Sequence, residues 1–190
     1  MKSIGITGGI GSGKSLVCKI LEKIGYPVFY ADAEAKKAMK EDQNLKNELI
    51  SLLGENTYIN NELNRPFVAE QIFKNHQLKN KVNDLVHPAV FRAFENWKNI
   101  QSSLLVFNES ALLFETGSYK RFDATILVTA DRETRIQRVM ERDHTTREAV
   151  LERMSHQLDD HSRQKLCDFE ILNNDETLIV PQILKILHLL

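Results

Sequence analysis

The sequence predicts an α/β fold, a five-stranded parallel sheet flanked by helices, and three observations carry that prediction. Short apolar runs rich in β-branched and aromatic residues alternate with longer stretches of helical spacing. The first of those runs leads through a glycine-rich segment straight into a helix. A length of 190 residues with 42% hydrophobic content suits one domain, 1–190, with a sizeable core.

Taken in order, Lys2–Thr7 (KSIGIT) reads as the first strand and 27–30 (PVFY) as a short second one. Residues 104–108 (LLVFN), Ala124–Thr129 (ATILVT) and Phe169–Leu172 (FEIL) supply the third, fourth and fifth. Between Tyr30 and Leu104 no run qualifies as a strand. That interval reads as several helices, broken near Gly54, Pro66 and Pro88. A second polar insertion, ERDHTTREAVLERMSHQLDDHSRQK, precedes the fifth strand, and Thr145 with Glu148 three residues on has the spacing of a capping box. Lying over a sheet edge, it could serve as a lid. The last stretch, ETLIVPQILKILHLL, has helical spacing with Pro181 in its first turn or ending an earlier piece.

Composition narrows the function. Twenty-five basic against 26 acidic residues leave a net charge of -1, without the positive excess of a nucleic-acid binder. No apolar run approaches a membrane span and no signal-peptide pattern opens the chain, so a soluble cytoplasmic protein is expected. Cys18 and Cys167 stand far apart, outside any metal-ligand spacing, and are expected to be buried thiols; the histidines are scattered singly. Any metal should arrive with a ligand.

The segment GGIGSGKS, Gly8 to Ser15, fits G-x-x-x-x-G-K-[ST] between a strand and a helix. Glycines at 8, 9, 11 and 13 allow backbone angles closed to other residues and bring N–H groups against phosphate oxygens. The helix that begins near Lys14 adds its positive end. The loop Gly9, Ile10, Gly11, Ser12, Gly13, Lys14, Ser15 and Leu16 is therefore expected to hold a nucleotide such as ATP, with Lys14 bridging the β- and γ-phosphates and the Ser15 hydroxyl on Mg²⁺. A glycine-rich turn holding nothing would explain the glycines but not the lysine-serine pair.

A phosphate loop alone leaves donor, switch and motor open. The sequence holds neither an Asn-Lys-x-Asp element nor an Asp-x-x-Gly segment after a strand, which weakens a GTP switch. A kinase for small molecules needs a carboxylate beside its acceptor and arginines for the moving phosphoryl group. Asp32, just past the second strand, could take a proton from an attacking hydroxyl, and it could equally cap the helix that follows. Glu109, closing the third strand, could steady Mg²⁺ or simply be a soluble carboxylate. Glu115 reads as a helix start or cap. Arg135, Arg138 and Arg142 fall in one row on a helix whose Ile136, Val139 and Met140 face the core. Such a row is usually a solvated face, but Arg142 and Arg147 flank DHTT at the start of the lid, within reach of phosphates once it closes.

These residues resemble the dephospho-coenzyme A kinases, nearly end to end. The resemblance rests on GITGGIGSGKS, VFYAD ending in Asp32, LNRPFVAEQIF with Arg65, VHP at His87 and Pro88, ALLFE, RVMERDHTTRE and CDFEILNN. It implies a nucleoside-monophosphate-kinase-like fold with a core at 1–32, 104–141 and 166–190, a helical CoA-binding region at 33–103 and a lid at 142–165. The reaction implied is transfer of the ATP γ-phosphate to the ribose 3′-hydroxyl of dephospho-CoA. Asp32 becomes the base, Lys14 and Ser15 keep their loop roles, and Arg138 and Arg142 become phosphate contacts, with Arg142 catalytic. Arg65 and His87 line the acceptor side, although His87 could merely end a loop before Pro88. Asn173 and Asn174 fall near the adenine of ATP, or form a turn. The chain departs from the family pattern at Tyr30, Ala111 and Leu16, where an acidic residue, proline and threonine are common. A kinase for another small alcohol and a non-catalytic nucleotide switch stay open.

Overall fold

The structure, a computed structural model, describes all 190 residues apart from the side chains of Phe73, Lys74 and His76. Its elements in chain order are β1 (Lys2–Thr7), α1 (Lys14–Ile24), β2 (Val28–Tyr30), α2 (Ala31–Glu41), α3 (Gln43–Leu53), β3 (Tyr58–Ile59), β4 (Glu62–Leu63), α4 (Arg65–Lys74) and α5 (His76–Asn99). There follow β5 (Leu105–Glu109), β6 (Ala124–Thr129), α6 (Arg132–Asp143), α7 (Arg147–Ser155), α8 (Asp160–Gln164), β7 (Phe169–Leu172) and α9 (Ile179–Leu189). The chain divides into two compact units, one of Met1–Phe29 with Gln101–Leu190 and one of Tyr30–Ile100. Among the described residues no helix is long and apolar enough to cross a membrane.

In the first unit the five predicted strands form one parallel sheet in the order β2-β5-β1-β6-β7. Parallel strands are covered on both faces, which is why β1 and β6 are near-continuous apolar runs, buried through their centres. Val17 and Leu21 of α1 meet Ile183 and Ile186 of α9 over Phe107, Ile126 and Ile171 of the sheet. Across from α6, Val150 of α7 is buried with Ile136 and Val139, and Ile10, Met140, Leu151 and Met154 pack against them.

Two aspartates stitch the amino end of the sheet. Asp123, one residue before β6, accepts both the Ser3 N–H at 2.6 Å and the Ser3 hydroxyl at 3.0 Å. Asp168, one residue before β7, does the same for Thr125, at 2.8 Å and 2.8 Å. Each carboxylate thus bridges to the neighbouring strand with a charge-assisted pair of bonds.

The second unit is built from helices, with Leu45 and Leu49 of α3 packed on Val82, Val86 and Ala89 of α5. It also holds a hairpin where no strand was expected: β3 and β4 pair antiparallel through Asn60 and Asn61, both at positive φ. Each strand is two residues long, too short for any alternation to register. The Tyr58 hydroxyl donates to the Met39 carbonyl at 2.6 Å, and the buried Lys46 ammonium donates to Asn61 Oδ1 at 2.7 Å.

Four further expectations are corrected. Pro88 does not break a helix, because α5 runs through it: the apolar residues on either side belong to one core, while Pro88 itself faces solvent, where the unbonded carbonyl can be hydrated. Asp32 is not an N-cap, since α2 begins at Ala31 and Asp32 is an acidic residue of its first turn, where it complements the helix dipole. The cap of α7 is Thr146, whose hydroxyl accepts from Ala149 at 3.3 Å; the left-handed turn at His144 uses Thr145 before the helix starts. Cys18 is buried but Cys167 is half-buried, between α8 and β7.

Candidate active site

The loop leaving β1 returns on itself through a bond from the Ser12 N–H to the Gly9 carbonyl, 3.1 Å. Gly13 sits at φ 94°, and a Cβ there would collide with the Asn173 carboxamide, which donates to the Ser12 carbonyl at 2.8 Å. Only glycine meets both demands. Lys14 folds back to donate to the Gly8 carbonyl at 2.9 Å, so its ammonium lies along the loop. At the start of α1 neither a capping side chain nor an acidic residue occupies the first turn. No side chain of that turn therefore offsets the positive end of the helix, which favours an anion there.

Glu109 ends β5, in register with Ile6, and is 8% exposed. Burial, together with the charges of Glu109 and Glu22 and against that of Lys14, pushes the Cys18 thiol up to about 12. Lys14, Cys18 and Glu109 thus share one electrostatic neighbourhood at the carboxyl end of the sheet. Ser15, beside Lys14, is exposed. A hydroxyl and a carboxylate are the hard oxygen donors that Mg²⁺ prefers. Among the described residues no three His, Cys, Asp or Glu side chains form a metal-holding group. One hydroxyl and one carboxylate would leave most ligand positions of such a cation to phosphates and water.

The arginine row splits. Arg138 turns toward the loop after β7, donating to the Asn173 carbonyl at 3.1 Å and to Asp175 at 2.6 Å. Arg138, Asn173 and the glycine loop are brought together. Asn174 instead caps the turn that follows, accepting from Glu176 and Thr177. Arg142 points elsewhere and grips Asp143 through two bonds of 2.8 Å and 3.1 Å, while Arg147 forks onto Glu133 at 2.7 Å.

Arg135 is no surface residue: it is 6% exposed and donates to Asp160 at 2.6 Å. Sequence reasoning missed its companions Gln157, Asp160 and Arg163. The Gln157 carboxamide oxygen accepts the Ile10 N–H at 2.9 Å. Glu115, expected at a helix start, begins no helix and instead receives Arg163 at 2.7 Å across 48 residues of chain. Such separation leaves no local signal; only the surplus of charge in the polar insertion before the fifth strand hinted at it.

In the second unit, Asp32 lies in the first turn of α2, Arg65 opens α4 exposed to solvent, and His87 is exposed on α5. Asn64 caps α4 ahead of Arg65 and Pro66, the place where proline costs a helix least.

A parallel sheet whose first strand feeds a glycine loop, a lysine-serine pair and an uncapped helix defines a P-loop protein that binds nucleotide phosphates. The chain belongs to the dephospho-CoA kinase family, whose model matches residues 2–179. It is 36% identical over 188 residues to the dephospho-CoA kinase of Bacteroides fragilis, covering 98% of this chain and 92% of that one. It is 42% identical over 183 residues to that of Salinibacter ruber, covering 94% and 91%. The crystal structure of TT1252 from Thermus thermophilus superposes with a TM-score of 0.89 at 34% identity, covering 99% of this chain and 96% of that one.

Proposed function

We infer that this chain phosphorylates the ribose 3′-hydroxyl of dephospho-CoA with ATP, giving CoA and ADP, the last step of coenzyme A biosynthesis. The observation that carries the reading is the glycine loop with Lys14 and the uncapped α1, in a chain matched by the family over 2–179.

The mechanism we propose is in-line transfer. Loop amides and Lys14 hold the phosphates, and Lys14 follows the charge as it moves to the leaving oxygen. Ser15 and Glu109 would hold Mg²⁺, which when bound supplies positive charge to the phosphate oxygens. Asp32 takes the proton of the acceptor hydroxyl, a role assigned from its place just past β2 and from the family resemblance. Arg138, already beside the loop, steadies a phosphate; Arg142 does so after exchanging Asp143 for the nucleotide, as the part of the 142–165 insertion that precedes Gln157, itself bonded to Ile10, closes as a lid and excludes water. Asn173 shapes the adenine side of the ATP site through Ser12. Arg65 and His87 serve the acceptor, within a helical region 33–103. Two free thiols suit a reducing cytoplasm.

The test is ADP release with Mg-ATP against dephospho-CoA, adenosine, a nucleoside monophosphate, pantothenate and shikimate. Turnover with dephospho-CoA alone, lost by at least about 10²-fold in Lys14→Ala, is the expected result. Asp32→Asn should lower kcat by about 10²–10⁴-fold with ATP affinity kept. Turnover with a different acceptor only would discard the substrate assignment, and a near-normal Asp32→Asn would discard the base.

A further inference from the structure

Behind the glycine loop lies a cluster of four charges, linked in the order Arg135, Asp160, Arg163 and Glu115, that the transfer mechanism does not use. Arg163 is 1% exposed and Arg135 6%, and both guanidiniums lie so close to Gly9 that a Cβ there would strike them. Asp160 receives Arg135 at 2.6 Å and stands 3.7 Å from Arg163, while Glu115 receives Arg163 at 2.7 Å. The same Glu115 oxygen accepts the Leu158 N–H at 3.1 Å, which seats the neighbouring Gln157 on the Ile10 N–H. Two positive and two negative charges cancel, yet the Nε of each arginine and the second oxygen of Glu115 are buried without a hydrogen-bond partner. Burial also lowers the pKa of Arg135, and the neighbouring charges of Arg163 and Arg132 lower it further against the pull of Asp160.

Stability alone is a weak account of such a cluster, because buried ion pairs are commonly no more stabilising than apolar side chains of the same volume. What the cluster supplies is placement: two planar forks set against the backbone of Gly9, and a carboxamide on Ile10, at the bend of the loop that must present its amides to a triphosphate. We propose that Arg135 and Arg163, anchored by Asp160 and Glu115, are positioning residues for ATP: they hold the loop in its phosphate-binding shape from behind without touching the nucleotide. The proposal deepens the kinase reading above and rests on the loop being its ATP site.

Three variants test it: Asp160→Asn, in which the changed residue is half exposed and the fold should survive; Glu115→Gln; and Glu115→Gln with Arg163→Met, which removes both charges of one pair. For each, ATP affinity is titrated directly, Tm is measured, and KM is determined for ATP and for dephospho-CoA separately. We expect Asp160→Asn and Glu115→Gln to weaken ATP by about tenfold, the size of one lost charge-assisted bond, with KM for dephospho-CoA within about twofold of the parent. The double variant should recover Tm and keep the weakened ATP binding. Equal rises in both KM values, unchanged ATP affinity in Asp160→Asn, or a double variant with parental Tm and parental ATP affinity would each overturn the proposal. Titrated ATP affinity keeps the two readings apart, since a parent chain that binds ATP but does not turn over dephospho-CoA fails the kinase reading and leaves the effect of the cluster still measurable.

Discussion

Cys18 and Cys167 are the same thiol in two settings. Cys18, on the buried side of α1, is held near 12 by burial and by Glu109, whereas Cys167 is half-buried and raised by burial and by Glu170. Since the thiolate is the reacting form, iodoacetamide near neutral pH should label Cys167 slowly and leave Cys18 intact until the chain is denatured. Peptide mass spectrometry reads this directly, and labelling of native Cys18 ahead of Cys167 would contradict the burial described. Both cysteines read alike in the sequence, because neither the charged residues after Cys167 nor the apolar ones around Cys18 say which way a side chain turns. The same holds for Arg135 and Arg138. They share a helical row, but one is buried by a partner from α8 and the other reaches the loop after β7.

At the scale of elements, α6 and α7 are clasped by Asp143, which receives Arg142 beside it and Arg153 from the next helix at 2.7 Å. Hydrogen bonds from Arg142 and then Arg153 lower its carboxyl from 3.8 to about 2. A lowered folded-state value means that the clasp contributes fully above the ordinary value near 3.8 and is lost as pH falls toward about 2. Asp143→Asn should therefore lower Tm at neutral pH, and the gap from the parent should close as the pH falls from about 4 to about 2. A gap constant over that range would show that the clasp carries no linkage. The strands β1, β5 and β6 were legible because five or six residues, most of them buried on both faces, leave a near-continuous apolar run. The hairpin at Asn60 and Asn61 was not, since two-residue strands have no period, and Pro88 misled because its local rule was outweighed by a core formed with α3.

For the whole molecule, ligand binding and stability are one equilibrium. ATP at about 100 times its Kd should add about 2.7 kcal/mol to the folded state, raising Tm by about 5–10 °C in a chain of this size, and Lys14→Ala should lose most of that shift. An equal shift in the variant would remove Lys14 from the nucleotide site. The front of that site was legible because its chemistry is written in eight consecutive residues, Gly8 to Ser15. Its back was not, because Glu115, Gln157, Asp160 and Arg163 reach the loop only through the fold. The aspartates before β6 and β7 have a consequence of another kind. Each carboxylate finds both a hydroxyl and a backbone N–H only if its neighbouring strand is set to the right residue: Ser3 for Asp123, Thr125 for Asp168. A strand slipped by one dipeptide would keep its apolar faces and its ladder but leave a carboxylate facing no hydroxyl. The pair therefore penalises β-pairings displaced by two residues, which hydrophobicity alone would accept.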